Sequence, residues 1–330
     1  MNHKPMKIDY PIKFKPILHE RIWGGNKLHT ELGKEKKDIP IGESWEISTV
    51  PNSVSVVANG ELVGQNLQDL INTYKADFLG EKVFEKYGTD FPLLIKFIDA
   101  KTDLSVQLHP NDALAQKRHN SFGKEEMWYI MQADKSSNLM FGFNKELTKE
   151  VYKIHLENKT LPDVLQYEKP KKDEVYYIPT GRVHAIGGGV LLAEIQQSSD
   201  VTYRLYDWDR KDENGKGREL HTDLALDAID FEVPTSFKTD YRVEKNKISS
   251  IVDGPYFSTS ILELDSSKKI QKKNKDSFTI YMCVAGEVSI VVNNDTVSLR
   301  KGESVFIPAS VLAYSFLLQT KTAKLLHVEA

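Results

Sequence analysis

Three short segments in the first 200 residues carry side chains that are typical ligands of a divalent metal ion. Gln107 and His109 lie two residues apart in LSVQLHPND, Glu126 opens the strand-like run EMWYI, and His184 follows the turn residues of IPTGRVHAIGGG. Residues two apart on a strand point to the same face. Two imidazoles, one carboxylate and one amide oxygen suit zinc and leave room for water or substrate. The sequence therefore predicts one Zn²⁺ per chain, which would polarise substrate oxygens as a Lewis acid.

Each of these residues also has a structural interpretation. His109 precedes a proline and could be a satisfied structural histidine, Glu126 could be a strand-edge charge beside Lys124, and His184 could belong to a plain turn. Their joint occurrence at predicted strand ends favours the metal site over these separate explanations.

The elements that must position these residues are predicted to be β-strands. Short runs at residues 53–60, 127–134 and 287–299 alternate apolar and polar residues between turn residues, which is typical of half-buried antiparallel strands. In the last run, Asn293-Asn294-Asp295 predicts a hairpin turn. Helical spacing is confined to NLQDLINTYKADFL, VFEKYG, ELTKEVYKIHLEN and HTDLALDAI. The pattern predicts an all-β-dominated sandwich or jelly roll with a few short inserted helices.

A weak internal repeat predicts two barrels of one type. DEVYYIPTGRVHAI resembles GESVFIPASVLAYSF, and upstream of each lies a similar pair, MWYIMQA and TIYMCVAG. The periodicity is lost between them at FEVPTSFKTDYRVEKNKISS, which predicts a metal-binding domain over residues 1–240 and a second barrel over residues 250–330. Aligning the repeats places Ala313 opposite His184 and Phe278 opposite Glu126. The second barrel is therefore expected to bind no metal.

Composition excludes several classes of function. The 330 residues include 44 basic and 47 acidic side chains, which leaves a net charge of -3 and no electrostatic footprint for nucleic acid or an anionic membrane. The amino terminus has no apolar core of a signal peptide, and no apolar stretch approaches the roughly 20 residues that span a bilayer. The single cysteine, Cys283, excludes a disulfide framework. A cytoplasmic protein is expected, either a monomer or a weak homo-oligomer.

Several longer segments resemble type I phosphomannose isomerases, particularly the short bacterial form. The segments that carry the resemblance are ERIWGG, IGESWEIS, FPLLIKFIDAKTDLSVQLHPND, GKEEMWYI and VYYIPTGRVHAIGGGVLLAEIQQSSDVTYRLYDWDR. The resemblance implies a cupin fold, a double-stranded β-helix, in both barrels. It also implies a sugar-phosphate substrate and an aldose–ketose isomerase that interconverts mannose 6-phosphate and fructose 6-phosphate by moving a proton between C1 and C2 through an enediolate.

The resemblance further implies roles for individual residues. It makes Gln107, His109, Glu126 and His184 the zinc ligands and Arg204 the catalytic arginine. Lys124 and Glu194 match active-site residues of the family, while Ser105 and Lys96 match positions that line the substrate pocket. The general base is Glu194 or Lys124, and the sequence does not choose between them. Lys96, Lys124 and Ser105 are the residues available for phosphate recognition.

Neighbouring residues are expected to support this site. Asp207 and Asp209, in YDWDR, are interpreted as partners of Arg204 or Arg210, and Trp128 is assigned to packing.

Two other functions remain open from the sequence. A different metal cupin, for instance an iron dioxygenase, would also use histidines and a glutamate, because fold alone does not fix function. A non-catalytic sugar-binding double cupin could hold a purely structural metal. Gln107 and the phosphate-suited lysines weigh against the first alternative. Arg204 and Glu194 weigh against the second, since a structural site is normally closed.

Overall fold

The chain folds into four antiparallel β-sheets and a few short helices, in a computed structural model that describes residues 8–211, 214–233 and 235–330. Part of the polar amino terminus, residues 1–7, lies outside the described residues. The strands of the described ranges are β1 Ile17–Gly25, β2 Ile41–Ile47, β3 Leu93–Ala100, β4 Val106–Leu108, β5 Glu126–Ala133, β6 Leu139–Phe143, β7 Leu165–Glu168, β8 Val175–Ile178, β9 His184–Ile186, β10 Val190–Gln197, β11 Tyr203–Tyr206, β12 Ile248–Asp253, β13 Ser258–Leu264, β14 Lys268–Gln271, β15 Thr279–Ala285, β16 Glu287–Val292, β17 Asp295–Arg300, β18 Ser304–Ile307, β19 Ala313–Leu318 and β20 Ala323–Glu329. The helices are α1 Lys27–Thr30, α2 Leu67–Tyr74, α3 Ala76–Leu79, α4 Glu81–Tyr87, α5 Asp112–His119, α6 Lys149–Glu157 and α7 Thr222–Ala225, with a 3-10 turn at Leu161–Val164.

The predicted metal ligands lie on the first two sheets. The first sheet has the strand order β1-β2-β3-β10-β5-β8, and the second has the order β11-β4-β9-β6-β7. Their facing surfaces pack through one apolar cluster, to which the first sheet contributes Trp128 and Leu192 and the second contributes Phe141 and Ile186. The two sheets form a sandwich, and no strand pairing among the described residues closes it into a continuous barrel.

The last two sheets repeat this arrangement on a smaller scale. Their strand orders are β12-β13-β20-β15-β18 and β14-β19-β16-β17. Strand by strand, these orders correspond to β2-β3-β10-β5-β8 and β4-β9-β6-β7 of the first sandwich. The predicted internal repeat is confirmed, and so is the all-β-dominated jelly roll, with each predicted barrel present as a pair of facing sheets.

Strand register corrects one equivalence between the two units. Glu126 pairs with Ile178 of the first Ile-Pro pair, and Thr279 pairs with Ile307 of the second. Thr279 is therefore the counterpart of Glu126. The prediction of Phe278 was wrong by one residue, because the tyrosines used to align the two strands are not equivalent, and a one-residue shift moves a side chain to the opposite face.

The other predicted equivalence is correct. Gln107 pairs with His184 in the second sheet, and Gln271 pairs with Ala313 in the fourth. Ala313 therefore takes the position of His184. The second unit has neither an imidazole nor a carboxylate at the two positions equivalent to His184 and Glu126, and its lack of a metal stays a prediction.

One large apolar core lies between the two units. It includes Phe97 of the first sheet and Ile280 of the third, which thus pack through the faces turned away from their own sandwich partners. Helices α2 and α3 contribute Leu70 and Phe78 to the same core. Burial of this shared apolar surface is what holds the two units together.

The chain crosses between the units more than once. Near the amino terminus, Ile12 makes a β-bridge to Phe306 of the second unit. The division into residues 1–240 and 250–330 therefore stays a proposal about which part binds the metal. It is not a proposal that the two parts fold separately.

The segments with helical spacing are helical. NLQDLINTYKADFL contains α2 and α3, which are separated at Lys75, and the other three segments overlap α4, α6 and α7. Helix α5 was not predicted, because Ala115 is its only fully buried residue and no apolar period results. Its caps were the available signal: the side chain of Asn111 accepts a hydrogen bond from the Leu114 amide, and Asn120 is left-handed. Among the described residues, no helix is long and apolar enough to cross a membrane.

Two of the three predicted strand regions are confirmed, by β5 and by the hairpin β16–β17. Residues 53–60 do not form a strand, and that prediction was wrong. Val57 makes a single bridge to Phe14, and Val56 makes one to Asn66. The backbone amides of this segment bond to several different loops instead of one neighbouring strand, so no continuous ladder forms.

A buried ion pair fixes the first sheet against the second unit. Lys34 Nζ lies 2.7 Å from Glu46 Oε1, and Glu46 also accepts hydrogen bonds from Ser44 and from Ser304 of β18. Replacing Lys34 with methionine would leave a buried carboxylate without its counter-charge. We expect the free energy of unfolding, measured with urea at neutral pH, to fall by about 3–5 kcal/mol.

The exposed pair between Lys37 and Glu35, at 2.6 Å, offers a matched control. Lys37→Met is expected to change stability by less than about 1 kcal/mol, because solvent screens an exposed pair. Equal losses in the two variants would contradict the assignment.

Candidate metal centre and substrate pocket

Three of the four predicted metal ligands meet between the first and second sheets. His184 begins β9, Glu126 begins β5 on the facing sheet, and His109 follows β4. His109 Nε2 lies 3.4 Å from Glu126 Oε2, and His184 Nε2 lies 3.4 Å from Glu126 Oε1. One ligand atom from each residue lies within 4.8 Å of the others, and all three residues are buried. We call His109, Glu126 and His184 the metal centre.

Backbone carbonyls orient both imidazoles of the metal centre. His109 Nδ1 donates to the carbonyl oxygen of Val201 at 2.9 Å, and His184 Nδ1 donates to that of Arg182 at 2.9 Å. Because a carbonyl oxygen only accepts, each Nδ1 carries the proton. The Nε2 lone pairs therefore face the carboxylate, in the tautomer that a metal ligand needs.

The three groups also have the charge states that a metal requires. Burial, and next the charge of Lys124, lowers the pKa of His109 to about 3, while burial lowers the pKa of His184. Burial alone would raise the pKa of Glu126, but Lys124 and His109 hold that pKa well below its usual range. At neutral pH the centre thus consists of two neutral imidazoles and one carboxylate.

A carboxylate oxygen without a hydrogen bond supports the fit of this donor set to a cation. Glu126 Oε2 is buried and accepts no hydrogen bond from the described residues. Lys124 Nζ lies 3.3 Å from this oxygen, without hydrogen-bonding geometry, and 3.2 Å from His109 Nε2. A buried carboxylate oxygen that accepts no hydrogen bond is rare and costly. Two imidazole lone pairs facing it complete a site that suits a divalent metal ion.

Gln107 lies next to the metal centre, but its amide oxygen is turned away. Gln107 Oε1 accepts a hydrogen bond from Ser105 Oγ at 3.3 Å, while its Nε2 lies 3.5 Å from His184 Nε2. Rotating the amide by half a turn would exchange the oxygen and the nitrogen. Gln107 as the fourth ligand stays a prediction.

A polar cavity of about 400 Å³ lies beside Gln107. The residues that line it are Arg21, Trp23, Glu43, Trp45, Lys96, Leu104, Ser105, Gln107, Lys124, Asp200, Thr202, Arg204 and Arg218. Four of the predicted catalytic and substrate-binding residues, Lys96, Ser105, Lys124 and Arg204, are among them. We call this cavity the substrate pocket.

The fifth residue of that set, Glu194, lies behind the pocket wall. Trp128 Nε1 donates to Glu194 Oε2 at 3.1 Å, so Trp128 also positions this carboxylate and does more than pack. Lys96 Nζ lies 3.0 Å from Glu194 Oε1, but its hydrogen bond goes to Gln196. Burial raises the pKa of Glu194, although Lys96 opposes the shift. A carboxyl group with a raised pKa is suited to proton transfer.

Lys124 is a buried cation between two carboxylates. Burial alone would lower its pKa, but the charges of Glu126 and Glu194 raise that pKa above its usual value. The amine therefore keeps its proton at neutral pH, which makes Lys124 a cationic group rather than a base.

Arg204 lines the pocket and lies on the strand next to that of Gln107. It pairs with Gln107 across β11 and β4, and Gln107 in turn pairs with His184. Its Nη1 donates to the carbonyl oxygen of Glu219 at 2.7 Å, while its Nε is buried and has no partner among the described residues. A buried donor without an acceptor is the arrangement expected where a substrate oxygen binds.

The aspartates near Arg204 pair with other cations. Asp207 forms ion pairs with Arg210 and Arg218, and Asp209 forms one with Lys159. The prediction was right for Asp207 with Arg210 and wrong for Asp209, because the turn after β11 directs Asp209 outward to solvent.

Sequence reasoning missed Glu43, a carboxylate that lines the pocket. Both oxygens of Glu43 accept hydrogen bonds from Arg21, at 3.1 and 3.0 Å, and Trp45 Nε1 donates to it at 2.7 Å. Burial alone would raise the pKa of Glu43, but Lys96 and Arg21 lower it to about 2. The available signal was the spacing of Glu43 and Trp45 in IGESWEIS, because residues two apart on a strand share one face.

Comparison with known proteins identifies relatives over most of the chain. Residues 12–142 match the family described as phosphomannose isomerase type I, catalytic domain, and residues 247–322 match the mannose-6-phosphate isomerase cupin domain. The chain is 33% identical over 307 residues to mannose-6-phosphate isomerase of Streptococcus mutans, covering 93% of this chain and 95% of that protein. It is 35% identical over 301 residues to mannose-6-phosphate isomerase of Bacillus subtilis, covering 90% and 93%.

Solved structures of similar proteins have the same fold. The crystal structure of mannose 6-phosphate isomerase from Bacillus subtilis superposes with a TM-score of 0.86 at 31% identity, over 96% of this chain and 99% of that one. A mutant of phosphomannose isomerase from Salmonella typhimurium, at 19% identity and a TM-score of 0.77, covers 96% and 98% and shares the fold. Sequence identity above 30% over almost the whole length establishes that this chain belongs to the type I phosphomannose isomerase family.

Proposed function

We propose that this chain is a zinc-dependent aldose–ketose isomerase that interconverts mannose 6-phosphate and fructose 6-phosphate. The observation that carries the proposal is the buried metal centre, His109, Glu126 and His184, beside a pocket lined by several cations. A substrate with an anionic phosphate at one end and oxygens at C1 and C2 at the other fits both features. The names of the related proteins supply the sugar.

The metal centre would hold the zinc ion, with Gln107 as the fourth ligand after its amide rotates. Bound there, zinc would supply Lewis-acid polarisation of the substrate oxygens. Three side-chain ligands with an adjacent amide and an open pocket are typical of catalytic rather than structural sites, because a structural site has no space for a substrate.

The proton transfer is assigned to Glu194. In the direction from aldose to ketose, a base removes the proton from C2 and returns it to C1, through an enediolate. Glu194 is buried, and burial raises the pKa of its carboxyl group, which suits a group that takes and returns a proton. Lys124, the competing candidate, keeps its proton and instead supplies positive charge beside the developing oxyanion. These charges favour Glu194 as the base.

Arg204 is assigned to the reacting end of the substrate. Arg204 lines the pocket and pairs with Gln107 across two strands, and its buried Nε has no partner among the described residues, so the guanidinium is available to donate to an oxygen that becomes negatively charged. An arginine is always charged and holds its donors in a fixed plane, which suits stabilisation of an enediolate.

The test is a coupled assay with mannose 6-phosphate before and after chelation. We expect isomerisation by the purified chain, a fall in rate of at least about 100-fold after the metal is removed, and recovery when zinc is added back. Apo protein treated identically but given magnesium is the control, because Mg²⁺ prefers oxygen ligands to imidazoles.

Two outcomes would overturn the proposal. Bound iron with oxygen uptake and no isomerisation would indicate a dioxygenase. Stoichiometric zinc with sugar binding but no turnover of mannose 6-phosphate or fructose 6-phosphate would indicate a binding protein. Arg204, with its unpartnered Nε, and the buried carboxylate of Glu194 argue against both, because neither alternative needs them.

We also keep the prediction of a cytoplasmic enzyme acting as a monomer or weak homo-oligomer. The chain's one cysteine, Cys283, whose thiol is free and buried, supports the location and does not bear on the oligomeric state.

A further inference from the structure

The substrate pocket has more positive than negative charge. Five cationic side chains line it, against two carboxylates. The whole chain carries a net charge of -3, so this excess is local to the pocket. A pocket with such an excess attracts anions, and low-dielectric walls strengthen the effect.

Most of these cations already have an acidic partner. Arg21 pairs with Glu43, and the lysines at 96 and 124 lie at ion-pair distance from Glu194 and Glu126. These charges are therefore largely balanced within the protein. The two remaining cations are Arg204 and Arg218, which lie on the pocket wall opposite these lysines.

Arg218 shares its only acidic partner in the described residues with another arginine. Arg218 Nε and Nη2 donate to the two oxygens of Asp207, at 2.7 and 2.6 Å, and Arg210 also donates to Asp207. One carboxylate thus balances two guanidinium groups. The two-point contact fixes the plane of the Arg218 guanidinium, and its Nη1 has no hydrogen bond within the described part of the chain.

The segment that carries Arg218 is fastened directly to Arg204. Arg204 Nη1 donates to the carbonyl oxygen of Glu219, the Arg204 amide donates to His221 Nδ1, and the His221 amide donates to the Arg204 carbonyl oxygen. Burial, and next the charge of Arg218, lowers the pKa of Arg204, so the two guanidiniums repel each other. A bound anion would relieve that repulsion.

The pocket residues form a series that leads from the metal centre to a more exposed end. Strand pairing runs from His184 to Gln107 and on to Arg204, and Arg218 follows on the next segment. Arg218 is the more exposed end of this series, with 31% of its side chain accessible. A sugar with its C1 and C2 oxygens at the metal centre would place its far end near Arg218.

We infer that Arg218, held in place by Asp207, binds the phosphate group of the substrate and selects phosphorylated over free sugars. This inference rests on the proposed function. Arg210 does not share the role, because it is absent from the pocket lining and also donates to the carbonyl oxygen of Asp103 at 2.6 Å. Arg218 lies outside the short segments that carried the family resemblance in the sequence, which end at Arg210.

The test compares Arg218→Ala with Arg210→Ala, which removes the other arginine from Asp207. The primary readout is the dissociation constant of inorganic phosphate, measured by calorimetry on the metal-loaded protein. We expect Arg218→Ala to weaken phosphate binding by about 10- to 100-fold, because a charge-assisted hydrogen bond is lost. Arg210→Ala is expected to change it by less than about threefold.

Steady-state kinetics give the second readout. Arg218→Ala should raise KM for mannose 6-phosphate by a similar factor, about 10- to 100-fold, while kcat changes by less than about threefold, because the contact is equal in the ground and transition states. A purely structural role would instead lower kcat and the melting temperature together. Arg218→Gln, which can still donate to Asp207, replaces the alanine variant if that variant does not fold.

Three results would overturn the inference. They are unchanged phosphate binding in a folded Arg218 variant, equal weakening in the Arg218 and Arg210 variants, or no binding of inorganic phosphate by the parent chain. Failure of the proposed function is distinguishable, because it would appear as no isomerisation by the parent chain while phosphate binding still depends on Arg218.

Discussion

Replacing His109 with alanine is expected to abolish stoichiometric metal binding and to lower kcat/KM for mannose 6-phosphate by at least about 1000-fold. The imidazole supplies one of three buried ligand atoms that lie within 4.8 Å of one another. Without it, Glu126 and His184 alone would face the buried ammonium of Lys124. That leaves too few ligands to hold zinc in a tetrahedral site. Elemental analysis gives the metal content, and a coupled assay gives the rate.

His155→Ala is the matched control for this variant. His155 lies on α6, outside the pocket lining, and its Nδ1 lies 2.8 Å from Thr160 Oγ1. We expect this variant to keep one metal ion per chain and the parent rate within about twofold. The ligand assignment would be wrong if His109→Ala kept stoichiometric zinc, or if both variants lost it equally.

The metal centre was predictable because its residues sit in strongly patterned strands. Glu126 begins an apolar run, and Gln107 and His109 alternate within another, so the pattern alone placed them at strand ends. The sequence could not give the closeness of His109 to His184, 75 residues later, because that depends on how β4 and β9 pair. The family resemblance supplied that link.

The part of the pocket wall that carries Arg218 could not be predicted from strand patterns. Residues 211–221 have no hydrophobic period, so no rule from sequence brings Arg218 back to Asp207. The contact arises because Glu219 and His221 hydrogen-bond to Arg204 and return the chain to β11. Long-range side-chain contacts of this kind leave no local signal.

Two errors in the strand predictions have a common physical origin. A period of two fits a strand in either of two registers, so aligning tyrosines placed Phe278 where strand pairing places Thr279. Residues 53–60 likewise alternate between apolar and polar side chains, but no neighbouring strand pairs with them. Hydrophobic alternation predicts which face a residue takes only when the partner strand is also known.

Replacing Arg204 with alanine is expected to leave the metal content and the fold unchanged and to lower kcat by about 100- to 1000-fold. The guanidinium has a buried Nε without a partner and no acidic partner among the described residues, so its removal unpairs no carboxylate. The loss should fall mainly on kcat, because the oxygen that Arg204 faces gains its charge only as the proton leaves C2. Kinetics, elemental analysis and thermal unfolding measure the three quantities.

Arg204→Lys separates charge from geometry. Lysine keeps the charge but not the fixed plane of donors, so recovery of no more than about tenfold is expected. The affinity for inorganic phosphate should change less in Arg204→Ala than in Arg218→Ala, because Arg204 is assigned to the reacting end and Arg218 to the phosphate. Parent-like turnover by Arg204→Ala would remove Arg204 from the mechanism. A kcat loss accompanied by loss of metal would instead make it a structural support of Gln107, with which it pairs across β11 and β4.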